Sequence, residues 1–184
     1  IKMIIKKLTI RERKFLVLGI LNLIFLMQMV TALTDIATCS ALQGMNTNLG
    51  ENYRLIRDVD CSSTNNFASI GDNNNPFRGS LDGQGYKIYG LHIDEYNQAY
   101  VGLIGYLGSN AKIKNLVLVV DMTQGKNYVG TLAGKSEGII ENCKVYMGSM
   151  FNGVKGVRGR ADFGDWSGMD VGGLVGYSSG TINN

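Results

Sequence analysis

The chain has 184 residues, 45% of them hydrophobic and 18% charged, with 25 glycines against a single proline, Pro76. That is enough apolar material for one sizeable core, and the composition is not that of a disordered chain. The net charge of +3 is unevenly spread: Lys2, Lys6, Lys7, Arg11, Arg13 and Lys14 against Glu12 put +5 in the first 14 residues and leave −2 for the rest. The body therefore lacks the basic footprint that phosphate backbones require, and nucleic acid is excluded as a partner.

The basic head runs into "FLVLGILNLIFLMQMV" (residues 15–30) and then "VTA". A basic region, an apolar run and a small residue are the layout of a secretory signal peptide over residues 1–32, with cleavage after Ala32. The alternative is an uncleaved anchor, although a spanning helix needs about 20 apolar residues and this run is shorter. On either reading the body is exported, to the medium or the cell surface, and touches a membrane only through this segment. The chain opens on Ile1 rather than Met, so it reads as a fragment or as one whose start is Met3.

Export changes the reading of the three cysteines. Cys39 and Cys61 lie 22 residues apart, a spacing that suits a disulfide in an oxidising compartment, with Cys143 left as a buried free thiol. The alternative is that all three are small buried hydrophobes. No Cys/His spacing suits zinc.

Residues 40–49 place Leu42, Met45 and Leu49 on one stripe, which predicts a short helix capping one end of the fold. "NYRLIRDVDCS" alternates Tyr53, Leu55 and Val59 with polar partners, a strand pattern. "DNNNP" and "DGQG" are turn signals around Phe77 and Leu81.

Three segments then superimpose: "YVGLIGYLGSNAKIKN" (100–115), "YVGTLAGKSEGIIEN" (128–142) and "VGGLVGYSSGTINN" (171–184). From the Val to the last Asn they span 14, 13 and 13 positions, so one insertion aligns all three. Strands this short cannot form a hairpin with a hydrophobic face of its own, and the glycines are expected to supply positive φ at sharp turns. Stacked in parallel, however, each strand bonds to its equivalents about 4.8 Å away and the aliphatics align in columns. The expected fold is all-β, a right-handed parallel β-helix with a short N-terminal cap. Ile104, Leu132 and Leu174 are its core positions, and Asn115, Asn142 and Asn184 stack as an amide ladder at one corner. Residues 150–169 fit no copy and are expected to be an irregular loop or a degenerate copy.

"LQGMNTNLGENYRLIRDVDCS", "PFRGSLDGQGYKIYGLHI" and the repeated "VGLIGY" and "VGGLVGYSSGTINN" resemble the GLUG-motif repeat family, from about residue 35 to the end. That family occurs in surface proteins, adhesins and the noncatalytic regions of immunoglobulin A peptidases. The middle copy departs from the pattern at Thr131 and Ala133. The resemblance implies a noncatalytic surface-display or adhesion region, with further repeats or domains expected beyond Asn184.

Two other readings are weighed beside it: a carbohydrate-active β-helix enzyme and a purely structural spacer. A lyase or glycosidase needs clustered carboxylates. The candidates Asp58, Asp60, Asp82, Asp94 and Asp121 follow no repeat, and Asp82 precedes a glycine, as in ordinary turns. His92 alternates with Leu91 and Ile93 and is expected on the outer surface. There is no second histidine for HExxH, no Gly-x-Ser-x-Gly and no phosphate loop. No catalytic residue, cofactor or metal is expected. The binding candidates are aromatic: Tyr106 and Tyr177 at one repeat position, with Lys135 interrupting the stripe between them, and Trp166 in the irregular loop. Tyr89, Tyr96, Tyr100 and Tyr128 could line the same face. The expected partner is a surface protein or glycan of a host or neighbouring cell.

Overall fold

In the computed structural model, residues 33–148, 156–159 and 170–183 are described, together with Thr9, Arg11, Lys14, Phe15 and 17–19. The chain divides into two units, Ile1–Ala32 and Leu33–Asn184, at the point where signal cleavage is expected. Most of the signal segment lies outside the described residues. Among those described, no helix is long and apolar enough to cross a membrane.

The second unit is built from strands β1 (Leu33–Ile36), β2 (Asn52–Leu55), β3 (Val59–Asp60), β4 (Ser80–Asp82), β5 (Lys87–Glu95), β6 (Ile104–Leu107), β7 (Lys112–Lys114) and β8 (Val117–Gly125). They are followed by β9 (Val129–Gly130), β10 (Ala133–Ser136), β11 (Ile139–Glu141), β12 (Lys144–Met147), β13 (Gly156–Gly159), β14 (Val171–Gly172), β15 (Val175–Ser178) and β16 (Thr181–Asn183). One sheet runs β1-β2-β4-β7-β11-β16 and a second β15-β10-β6. A third runs β12-β8-β5-β3, with β13 also on β8, and β14 pairs β9. Each of these pairings is parallel, so partners come from separate passes of the chain and none is joined by a hairpin.

The register turns the sequence repeat into columns. Tyr53, Leu81, Ile113, Ile140 and Ile182 lie opposite one another in turn across the first sheet. Val59, Ile88, Leu118 and Val145 do so across the third. A slip of one residue would move a whole column to the opposite face, so the alternation of burial fixes the pairing. In the second sheet Ile104 faces Ala133, which on its other side faces Val175, one position on from the expected Leu132 and Leu174. Leu132 is fully buried and Leu174 packs half-buried against the core. The first copy is one residue shorter before this strand, and its corner between β6 and β7 holds 108–111, where the later copies have only 137–138 and 179–180. A single insertion therefore does not describe the alignment.

The repeat glycines have another role than the one expected. Positive φ falls instead on Tyr100 (63°), Asn115 (53°), Tyr128 (53°) and Asn142 (49°). Gly102, Gly130 and Gly176 are small because neighbouring backbone occupies their Cβ direction: a Cβ on Gly130 would fall onto Ala133 O and Gly176 N, with Val175 C at 2.7 Å.

The cap region is a helix, α1 (Cys39–Gly44), closed by a 3-10 turn at Met45–Thr47. The Thr38 hydroxyl accepts from the Ala41 N–H at 3.1 Å and caps α1. Leu42 and Met45 are fully buried, and Leu49 packs against the same core. Strand β1, which the sequence pattern did not reveal, precedes this helix. Cys39 and Cys61 form a disulfide with Cα atoms 5.1 Å apart, while Cys143 is free and buried. One further expectation needs correction. His92 is only 7% exposed, because its strand is flanked on both sides: Met122 lies opposite, and the segment at Asn66 and Phe67 bonds to it from the other edge. Within 150–169, read from the sequence as an irregular loop or a degenerate copy, residues 156–159 form a strand on the second half of β8; most of that range lies outside the described residues.

Candidate functional site

Four of the six tyrosines singled out from the sequence, Tyr100, Tyr106, Tyr128 and Tyr177, gather on the face carrying β6, β10 and β15. Tyr106, Lys135 and Tyr177 are in register there. Beside them, Tyr100 stacks on Tyr128 with ring centres 4.9 Å apart and on Tyr106 at 5.8 Å. Tyr177 meets Tyr128 edge-on at 6.0 Å. Tyr106 is largely buried at 9% exposure, whereas Tyr177 is exposed at 42%. Trp166 lies outside the described residues.

Lys135 does not interrupt this stripe. Its ammonium sits 4.4 Å above the Tyr106 ring centre, donates to the Tyr106 hydroxyl at 3.0 Å and pairs with Glu137 at 2.9 Å. A cation over an aromatic face contributes about 0.5–1 kcal/mol at an exposed site, so the lysine continues the stack chemically where a third tyrosine is missing. The hydrogen bonds to Tyr106 and Glu137 push the Lys135 pKa up, and burial, with the bond to Glu137, pushes the Tyr106 phenol up. Tyr89 belongs elsewhere, opposite Asp60.

The asparagine column forms a continuous chain at a corner. Asn142 donates to Asn115 through Nδ2–Oδ1 at 2.9 Å, and Asn115 donates to Asp82 Oδ1 at 3.2 Å. Asp82 also accepts from the Gln84 N–H at 3.0 Å and from the Gln84 side chain at 2.7 Å, and pairs with Lys114 at 3.0 Å. Asn184 lies outside the described residues. Because Asn115 combines a left-handed backbone with two side-chain hydrogen bonds, Asn115→Ala is expected to destabilise by about 2 kcal/mol, of which roughly half is left-handed strain. Asn115→Gly should recover the strain part; urea unfolding of both variants reads the difference.

Partial burial pushes the Asp82 carboxyl up, but the hydrogen bonds from Gln84, Lys114 and Asn115, with the Lys114 charge, outweigh it and hold the group below the ordinary aspartate value. A carboxylate depressed in the folded state stabilises fully above its unfolded pKa and loses that contribution as pH falls through the folded one. The gap in melting temperature between the natural chain and Asp82→Asn should therefore be constant near neutrality and close as pH drops below about 4.

Of the other carboxylates considered for catalysis, Asp58 and Asp60 are occupied locally, whereas Asp94 keeps one buried oxygen without a hydrogen-bond partner among the described residues. Asp58 accepts from the Lys87 N–H at 2.9 Å, and Asp60 accepts from the Ser62 N–H at 2.9 Å. Among the described residues, no three of His, Cys, Asp or Glu come together as metal ligands.

Next to the tyrosine stack lies a cleft of about 660 Å3, absent from the sequence reading. The turn after α1, the loop before β4, and the end of β5 with the segment after it contribute Asn46, Asp72, Arg78, Glu95, Gln98 and Tyr100. Arg78 also borders a smaller recess of about 160 Å3 with Tyr106 and Glu137.

No family model and no solved structure matches the chain. Among proteins similar to it is a Gly-rich membrane protein, so named, of Evansella cellulosilytica, 34% identical over 123 aligned residues that cover 61% of this chain and 14% of that protein. The halomucin of Haloquadratum walsbyi is 37% identical over 120 aligned residues, 56% of this chain and 1% of that protein. The match thus spans only a small part of each relative's own length.

Proposed function

We propose that residues 33–184 are a length of right-handed parallel β-helix of the GLUG-motif type, serving as a noncatalytic exported module for surface display or adhesion. The observation that carries this reading is the register of the three copies. Ile104, Ala133 and Val175 in one sheet and Ile113, Ile140 and Ile182 in another are in line, as successive turns of one winding would require. A winding of this kind extends by adding copies without a new core, which suits a module repeated inside much longer proteins. The names of the two relatives, a membrane protein and a halomucin, favour a surface or membrane-associated setting. The noncatalytic part is supported by Asp58, Asp60 and Asp82, which are already engaged by neighbouring backbone and lysines.

Antibody labelling of intact source cells tests the location: signal before permeabilisation is expected, and signal only afterwards overturns it. Incubation with polygalacturonate and similar polymers tests the rest. No new reducing or unsaturated ends should appear, and their release by the purified chain would make it an enzyme.

A further inference from the structure

The geometry points to the cleft beside the tyrosine stack as a binding site for a neutral oligosaccharide. This deepens the adhesion reading by giving it a ligand class and a location. At about 660 Å3 the cleft is the size of a small-ligand site. Its charged and polar lining is made of amides, the hydroxyls of Thr47, Ser69 and Tyr100, two carboxylates and one guanidinium, groups that between them donate to and accept from hydroxyls. Asp72 and Glu95 against Arg78 leave the lining with one negative charge in excess, which disfavours phosphate, sulfate and uronate. The scarcity of aliphatic side chains disfavours a lipid.

The walls are held before any ligand arrives. Asn46 accepts from the Gly71 N–H at 2.9 Å and donates to Ser69 O at 3.2 Å. Glu95 Oε2 accepts from the Ser69 hydroxyl and from its N–H at 3.4 Å, and the Ser69 hydroxyl accepts from the Gly102 N–H at 3.1 Å. Asp72 Oδ1 accepts from the N–H groups of Asn74 and Asn75, each at 2.8 Å. Tyr100 is fixed between ring contacts to Tyr106 and Tyr128. The Arg78 backbone is tied to the cap segment by its N–H to Leu49 O at 2.7 Å. Each of these anchors uses only part of the side chain concerned. The second oxygens of Asp72 and Glu95, the Arg78 guanidinium and the Gln98 amide have no hydrogen-bond partner among the described residues. Rigid supports with unspent donors and acceptors turned to one concavity are what a preorganised polyol site requires.

The test uses the full chain on an array of immobilised glucan, mannan, xylan and chitin oligomers, with uronate- and sulfate-bearing glycans as a separate arm. Neutral oligomers should be retained. Arg78→Ala and Gln98→Ala should each weaken the best of them at least tenfold by calorimetry, with circular dichroism unchanged, while Tyr146→Ala, outside the cleft lining, should leave affinity as it was. Retention of acidic glycans alone, no retention of neutral ones, or affinity indifferent to both cleft variants would overturn the inference. Surface labelling of intact cells together with a silent array would remove the glycan site and leave the surface reading standing.

Discussion

Gly130→Ala is expected to abolish the cooperative unfolding transition of the body or to lower its stability by more than about 4 kcal/mol, the range reached when buried elements are forced apart. The added methyl would meet Ala133 O, Gly176 N and Val175 C, all main-chain atoms. A side chain in the way could rotate, but these atoms belong to β10 and to β15, which pair with each other. Making room means opening the ladders that hold the second and third copies together. Gly173→Ala is the matched control, because nothing lies within 4 Å of its Cβ position. Thermal unfolding followed by circular dichroism should leave that variant close to the natural chain. Comparable losses in the two would show that glycine is required in these copies for some reason other than close backbone approach.

Removing the disulfide should have the second largest effect. Cys39 begins α1, and Cys61 follows β3 directly. The link ties the helix that buries Leu42 to a strand of the third sheet, across a separation of 22 residues. Releasing a loop of that size restores about 3 kcal/mol of unfolded-state freedom, or about 6–12 °C in melting temperature for a body of this length. Cys39→Ser with Cys61→Ser, or reduction in situ, should give that drop. Cys143→Ser should respond differently: it closes no loop, and its effect should not depend on added reductant. A melting temperature indifferent to reductant in the natural chain would mean that the helix is held by Leu42 and Met45 alone.

What could be read from the sequence was whatever repeats within it or follows a local rule. The three Val-Gly copies share enough residues for their equivalence to be visible, and the parallel pairing followed from strands too short to stand alone. The Leu42 and Met45 stripe gave the helix, and the expectation of an oxidising compartment gave the cysteine pair. What stayed hidden depends on contacts between distant residues. Asp82 looks like an ordinary turn aspartate next to Gly83, and becomes the foot of the amide ladder only when Asn115, 33 positions later, is laid on it. Lys135 reads as a gap in an aromatic stripe until its ammonium is placed over the Tyr106 ring. His92 alternates correctly, but periodicity says which way a side chain leaves its strand and nothing about what flanks it. The cleft draws on three separate stretches of chain, none carrying a motif. Strand β1, "LTDI", has too few residues for any pattern to emerge.

The corner between β6 and β7 carries two residues more than its counterparts, yet Ile104 and Ile113 on either side of it stay in line with the later copies. Length is therefore absorbed outside the ladders. Ser109 and Asn110 at its tip are exposed, so a foreign peptide spliced between them would be presented at the periphery without disturbing the stack. This makes the joint a natural graft point for turning the body into a carrier of epitopes or binding loops.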